Sequence, residues 1–482
     1  MPFQKLDINY VQQGKKKCYI CILNVFTTNE PISRFIMERM LQYVWKHKLY
    51  TESELMTTDG MPVFVIDPGT QNIDAGPDFF NAKVRIGDTV WAGNIEIHER
   101  SSDWFSHHHD KDKAYDTIIL HIVQRHNTSV YRADNEAIPQ IILRVPKKIE
   151  ENIEWLLRRD TPVSCAERIC FIPPLFLSDW IAALLTERLE RKTNDILSRL
   201  KNNSKDWNEI FYITLMRNFG FSVNGDALEL LAGSLPFKYI LKHRNNPVQI
   251  EALLFGQAGL LDEETDALSP SLQANTPSTS LVAERSNLYD SYLQYLRVEY
   301  DFLRKKYSLQ PVKAFLFKKL RTRPVNFPHI RLAQAASLWI NNDLLFSNVL
   351  ETEKLNDLRT FFNAEPSEYW TTHYNFRFES KAKKKLIGKN ATDTILINTV
   401  IPILFAYGKY NNLPEYCERA LRFLEDIAPE RNSIVTVFSN AGIKVKNAGD
   451  TQALIQLRRE YCDKKKCLYC RIGYRVIGNV KI

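Results

Sequence analysis

GPDFFNAKVRIGDTVWAGNIEIH, residues 76–98, is the stretch on which the fold turns. Residues 82–86 (AKVRI) and 90–98 (VWAGNIEIH) read as two strands, and Gly87-Asp88 between them suits a hairpin turn. Residues two apart in a strand share a face, so Glu96 and His98 project together while Ile95 and Ile97 go to the other side. Asp78 opens the first strand after Gly-Pro, and it meets Glu96 if the hairpin bends through Gly87. Two carboxylates at one point repel each other and bind a hard divalent cation well. Such a cation activates water and neutralises charge on a phosphate in a transition state.

Outward from the hairpin, residues 37–50 (MERMLQYVWKHKLY) carry Met40, Leu41, Val44, Trp45 and Leu49 at helical spacing. Residues 62–67 (PVFVID), 117–123 (TIILHIV) and 139–145 (PQIILRV) read as further strands, the last of them at an edge. Residues 37–148 are therefore expected to form one α/β domain. Residues 1–36 look unlike the rest of the chain and are read as a leader, with Met37 and Met40 as alternative starts.

Residues 99–121 (ERSSDWFSHHHDKDKAYDTIILH) are dense in groups that bind metals and phosphates. His121 faces opposite to Leu120 and Ile122, on the side expected to hold Glu96, although a single histidine in an apolar strand is more often a hydrogen-bonded core residue. Of His107, His108 and His109, one or two can face a site, since neighbours do not point the same way. His109 and His121 are expected beside the metal or on phosphate, with Asp103, Asp112 and Tyr115 near them. A softer metal, zinc or manganese, on His98, His109 and Glu96 is the alternative to a hard one.

The order helix, strand, Pro-Asp, strand, Glu-x-x, helix or loop, strand resembles the PD-(D/E)XK nuclease superfamily. Pro77-Asp78 matches "PD", and Glu96-Ile97-His98 stands where "E-x-K" would be. The resemblance implies a restriction-endonuclease-like core and a Mg2+ or Mn2+ ion on Asp78 and Glu96. His98 stands in place of the lysine that positions the attacking water, and a histidine serves as donor or general base near pH 7. The chain over about residues 37–478 is also similar to domain-of-unknown-function family 2851. The matching stretches include GPDFFNAKVRI, RPVNFPHIRLAQ, LIGKNATDTILINTVIPILFAYG and YCDKKKCLYCRIG. That likeness implies no activity.

From about residue 149 to 482 the pattern is helical. Helices are expected near 149–159, 175–201, 206–219, 225–232, 247–257, 286–306, 311–319, 329–341, 352–363, 391–407, 414–426 and 449–461. The polar stretch 266–280 reads as a loop. The fold class is thus α+β: an N-terminal α/β core followed by a large, mainly helical domain. Within RPVNFPHIR, Arg323, Asn326 and Arg331 crowd two prolines before a helix at about Ile330. Arginines at a helix N-terminus suit a phosphate, and the same residues suit a rigid interdomain turn.

The eight cysteines cluster. Cys462, Cys467 and Cys470 form C-x4-C-x2-C, three thiols within nine residues, which suits one zinc or one iron–sulfur cluster. A fourth ligand is expected upstream, at Cys165 or Cys170. Some PD-(D/E)XK nucleases hold a [4Fe–4S] cluster on one distant and three C-terminal cysteines. Their distant cysteine precedes the nuclease core, an order Cys18 or Cys21 would fit. The plain alternative is three reduced thiols on a lysine-rich tail.

Net charge is +8, from 64 lysines and arginines against 56 acids, and pI is about 8.9, a mild excess that fits nucleic-acid binding. No apolar run of about 18 residues exists, so no membrane-spanning helix is expected. The N-terminal apolar run is cut by Asn24 and lacks a cleavage site, which argues against a signal peptide. The expected setting is the cytoplasm. The expected function is a divalent-metal-dependent nuclease acting on DNA or RNA. The rivals are a non-catalytic nucleic-acid-binding or scaffold protein and a metal-dependent hydrolase of another substrate.

Overall fold

A computed structural model of the chain describes residues 34–50, 55–72, 74–202, 206–221, 223–262, 280–319, 323–342, 345–376 and 379–478. Cys18, Cys21, most of the leader and residues 266–279 of the expected loop lie outside them, and residue 280 begins the helix Ser280–Tyr307. Contacts divide the chain into two compact units, one running to Pro174 and resuming at Arg458, the other spanning Leu175–Leu457. The C-terminal cysteines thus fold with the α/β part, whereas the helical pattern alone groups them with the helical domain.

The first unit opens with α1 (Arg34–Lys46). Met40, Leu41, Val44 and Trp45 are fully buried, as the helical stripe requires, and α1 packs on the sheet. Burial of each such side chain is worth about 1.5–3 kcal/mol. The strands are β1 (Val63–Asp67), β2 (Thr70–Gln71), β3 (Phe79–Ile86), β4 (Thr89–Arg100), β5 (Ile118–Arg125) and β6 (Gln140–Ile142). Their order is β1-β3-β4-β5-β6, with β2 beside β3. β1, β3 and β4 run antiparallel, and β4, β5 and β6 run parallel. The sheet is therefore mixed. Residues 118–123 of β5 are all buried, as suits a parallel strand covered on both faces.

Two glycines are required by position. Gly87 turns the β3–β4 hairpin at φ +59°. At Gly93 a Cβ would come within 2.4 Å of Ile119 Cγ2 and 2.7 Å of the Thr117 carbonyl, so only glycine lets β5 approach β4 there. The crossover from β4 to β5 is short. It holds α2 (Asp103–Ser106) and two 3₁₀ turns, His109–Lys111 and Lys113–Tyr115. After β6 come α3 (Lys147–Arg158) and α4 (Ala166–Ile169), and the unit ends on the helix Arg471–Gly478, which packs on both.

The second unit is helical, with one large apolar core. Asp206 caps the helix Trp207–Phe219 and Asn246 caps Pro247–Gln257, each worth about 1 kcal/mol. The expected helix at 311–319 is not formed. That segment is extended apart from a 3₁₀ turn at Ala314–Leu316, and Val312 N–H donates to the Gln257 carbonyl at 2.8 Å. Pro311 and this tether to a neighbouring helix outweigh local helical periodicity. Short helices at Phe237–His243, Leu345–Glu351 and Ser433–Asn440 escape the periodic reading because two turns give too few repeats. The helix Lys389–Asn411 is long and apolar enough to cross a membrane by length and composition, and 72% of its apolar window is buried within the protein.

Candidate metal centre

The carboxylates meet through a bulge. Near the turn, Ile86 pairs with Thr89 and Ala82 with Gly93, a register that would set Asp78 opposite Ile97. Between Phe79 and Ala82 the register shifts, so that Phe79 pairs with Ile95 and Asp78 comes opposite Glu96. Asn81 takes the left-handed conformation (φ 55°) and its N–H donates to Asn94 Oδ1 at 3.1 Å. This bulge, far from Gly87, replaces the bend expected at the turn. The Asp78 N–H donates to Glu96 Oε2 at 3.0 Å, and the Ile97 N–H donates to Asp78 Oδ2 at 3.0 Å. Gln42 of α1 donates to Asp78 Oδ1 at 2.8 Å.

The other oxygen of Glu96 faces imidazoles. Oε1 lies 3.6 Å from His98 Nε2 and 3.5 Å from His109 Nε2. His98 Nε2 lies 3.1 Å from His107 Nδ1. The ligand nitrogens of His98, His107 and His109 all lie within 4.8 Å of one another. His108, at φ 61°, reverses the chain, so His107 and His109 converge, although His107 is exposed like His108. His109 Nε2 is buried and makes no hydrogen bond. Tyr115 stacks on His109 with ring centroids 3.8 Å apart, and buried Trp104 sets its edge against His109 and tilts toward His121.

Behind His98 runs a second line of support. His98 Nδ1 lies 2.9 Å from His121 Nε2, and His121 Nδ1 lies 3.0 Å from the Gln140 amide. All three side chains are buried. The Gln140 nitrogen Nε2 faces His121 Nδ1. With the amide turned over so that its oxygen faces the ring, each ring would donate along the chain toward Gln140 and the His98 Nε2 lone pair would face His107 and Glu96. A ring fixed in this way is the usual posture of a metal-ligating histidine.

Burial dominates the electrostatics of the site. Burial, then the charge of Glu96, pushes the Asp78 carboxyl well above its usual range. Burial raises Glu96 to about 8, against the Asp78 N–H bond, which favours ionisation. Burial lowers His109, and lowers His121 to about 3. Tyr115 is raised by burial and by the carboxylates. A tetrahedral ion with 2.1 Å bonds sets its ligand atoms about 3.4 Å apart, close to the 3.1, 3.5 and 3.6 Å separations here. Three nitrogens with one carboxylate oxygen suit zinc, manganese or iron better than magnesium, which takes oxygen.

Asp78, Glu96, His98, His109, Tyr115 and His121 are thus brought together. Asp103 is buried, and its Oδ2 accepts from Arg100 N–H at 3.1 Å. Asp112 caps the turn Lys113–Tyr115 through Ala114 N–H. Arg323, Asn326 and Arg331 belong to the second unit. His107, Gln42 and Gln140 are additions that sequence reading did not single out. Gln42 had a faint signal, a polar residue one position from the buried stripe of α1.

The two upstream cysteines differ in their surroundings. Cys165, immediately before α4, is within electrostatic reach of Cys462, Cys467 and Cys470, whereas Cys170 is exposed at the far end of that helix. Burial and then Cys470 push Cys467 up to about 12. Lys465 Nζ donates to Ser164 Oγ at 3.2 Å and to the Arg159 carbonyl, which ties the two cysteine-bearing segments together. Among the described residues no three of these sulfurs lie within 4.8 Å of one another.

A family model described as "Protein of unknown function (DUF2851)" matches residues 38–433. No curated protein and no solved structure matches the chain.

Proposed function

Because the chain belongs to the family of proteins of unknown function DUF2851, which brings no activity with it, we propose from the site alone that it is a metal-dependent phosphodiesterase acting on nucleic acid. The observation that carries this is Glu96 Oε1 set beside the nitrogens of His98 and His109, which converge with the nitrogen of His107. These four groups would hold one transition-metal ion. When bound, it would supply a Lewis acid and a water ionised near neutral pH. Asp78 stands opposite Glu96, held by Gln42 and the Ile97 N–H, and would orient Glu96 through its own N–H. His121 and Gln140 would fix the His98 ring.

The nucleic-acid part of the proposal rests on three things. The helix, antiparallel hairpin and parallel strand occur in PD-(D/E)XK order; Asp78 and Glu96 occupy the positions that the resemblance assigns to metal ligands; and the net charge is +8. The metal differs from the one the resemblance implies, because histidines replace its lysine and supply nitrogen donors. The test is cleavage of labelled single- and double-stranded DNA and RNA by metal-stripped protein given Zn2+, Mn2+ or Mg2+. Cleavage restored by Mn2+ or Zn2+ and lost in Glu96→Gln supports the proposal. No cleavage with any metal, from protein that binds one at this site, removes the enzymatic reading and leaves the scaffold.

We also propose that Cys165, Cys462, Cys467 and Cys470 hold a second metal centre, which would fasten the returning C-terminal segment to the loop before α4. Support comes from the C-x4-C-x2-C spacing and from the shared buried surroundings of these thiols, where burial first and the neighbouring cysteines second keep them protonated unless a cation displaces the protons.

A further inference from the structure

The second unit contains a cavity of about 630 Å3 whose lining includes Arg323, Arg331, Lys383, Lys384, Lys385 and Lys389, and no aspartate or glutamate. A second hollow of about 520 Å3 shares Arg323, Asn326, Arg331, Asn390 and Ala391 with it. Six cations about one hollow repel one another, and ordinary surfaces mix the two signs.

Arg331 is the decisive residue. It sits in the helix Pro328–Asn341 with only 8% of its surface exposed. Its guanidinium donates to Gln334 Oε1 at 2.9 Å and to Asn326 Oδ1 at 2.5 Å, while Nε is buried with no partner. The Phe221 ring lies 4.3 Å from its Cζ. Among the described residues no carboxylate answers its charge, and burial lowers it to about 10. A buried charge is costly unless paired, so an arginine held rigidly without a counter-ion is a group that awaits one. Lys385, also buried, gives its Nζ to the Trp370 and Thr371 carbonyls, not to an acid. Among the described residues, Lys384 of this group has an acidic partner, Glu365 at 3.0 Å.

The frame is built to keep Arg331 in place. Gln334 takes the guanidinium with its oxygen and donates through Nε2 to the Lys385 carbonyl at 2.8 Å. This joins the Arg331 helix to the lysine segment. The first turn of the 23-residue helix Lys389–Asn411 also lines the cavity, and its N-cap, Gly388, offers no side chain to the free N–H groups. A helix start with unsatisfied N–H groups favours an anion.

We propose that this cavity is a phosphate-binding site for a ligand of nucleotide size, with Arg331 as the buried anchor and Arg323, Lys383 and Lys389 as the exposed rim. Arginine matches phosphate geometry through paired N–H donors, and the lysines add charge. The site is independent of the metal centre and stands whether or not that centre is catalytic.

The experiment is calorimetric titration of the full chain with three probes: inorganic phosphate, a 5′-mononucleotide and a short single-stranded oligonucleotide. Arg331→Gln should weaken binding about ten- to a hundredfold, the loss expected for hydrogen bonds to a charged group. Arg323→Glu and Lys389→Glu, both at exposed positions, carry the test should Arg331→Gln fail to fold. Binding of phosphate itself, weakened by these changes, identifies a free phosphate or phosphomonoester as ligand. Binding of the nucleotide alone identifies a mononucleotide, and binding of the oligonucleotide alone identifies a strand backbone. Failure of all three probes to bind, or binding indifferent to the substitutions, overturns the proposal.

Discussion

His98 Nδ1 and His121 Nε2 lie 2.9 Å apart in a buried pocket, so one of them carries a proton and the other accepts it. If His98 binds metal through Nε2, its proton sits on Nδ1 and His121 receives it. His121 then touches no metal, and its removal should weaken binding all the same. His121→Ala is expected to lower metal affinity about ten- to a hundredfold, measured by competition with a chromogenic chelator. Unchanged affinity would show that His98 needs no such support.

His98→Lys separates two roles for that residue. A lysine reproduces the cation of a PD-(D/E)XK site but cannot ligate beside His107 and His109 in its charged form. We expect metal content to fall and activity to fall with it. Retained metal and raised activity at high pH would instead make His98 the stand-in for the lysine, with the metal on Asp78 and Glu96.

Glu96 gives a pH signature without any substrate. Its carboxyl is raised from 4.5 to about 8 in the fold. The folded state therefore holds this proton more tightly than the unfolded chain does. The resulting stability is full below pH 4.5 and is lost as pH rises through 8. Metal-free protein should lose stability relative to Glu96→Gln between about pH 5 and 8, read as a wild-type Tm that falls progressively below that of the variant. Bound metal should abolish the loss, because it replaces the proton on the carboxylate. A Tm difference that stays flat with pH in metal-free samples would contradict the burial of this carboxylate.

How much of this was legible in the sequence depends on range. The β3–β4 hairpin was, because its strands and the Gly87-Asp88 turn are local signals. The meeting of Asp78 with Glu96 was anticipated, but its cause was not. The bulge at Asn81 shifts the register by one residue, and a left-handed asparagine held by Asn94 leaves no trace in a period-2 pattern. His107 was hidden for the same kind of reason. Three adjacent histidines look alike until His108 adopts positive φ, which the surrounding fold imposes. Arg331 was picked out as suiting either a phosphate or a rigid interdomain turn, yet the lysines about it come from some 50 residues further on, and only packing assembles them.

The cysteines allow the most discriminating test. The C-x4-C-x2-C spacing proposes three ligands, and Cys165 is the better proposal for the fourth, since its thiol shares its surroundings with the other three and Cys170 is exposed. A single zinc ion with 2.3 Å bonds holds its sulfurs about 3.8 Å apart. A cluster spreads its thiolates further, because each iron atom takes one. One distant and three C-terminal cysteines are the arrangement that the resemblance ties to a cluster, and on that reading anaerobically purified protein is expected to be brown and to contain iron and acid-labile sulfide, with absorption that disappears on exposure to oxygen. Cys165→Ser, Cys462→Ser, Cys467→Ser and Cys470→Ser should each remove the colour, and Cys170→Ser should leave it. The cluster would join the segment ahead of α4 to the C-terminal segment, where Lys465 already bonds Ser164. Its loss should thus speed limited proteolysis around residues 458–466. Colourless protein with one zinc per chain would keep the four ligands and change the metal. Metal-free protein whose four thiols alkylate freely in the native state would remove the centre altogether.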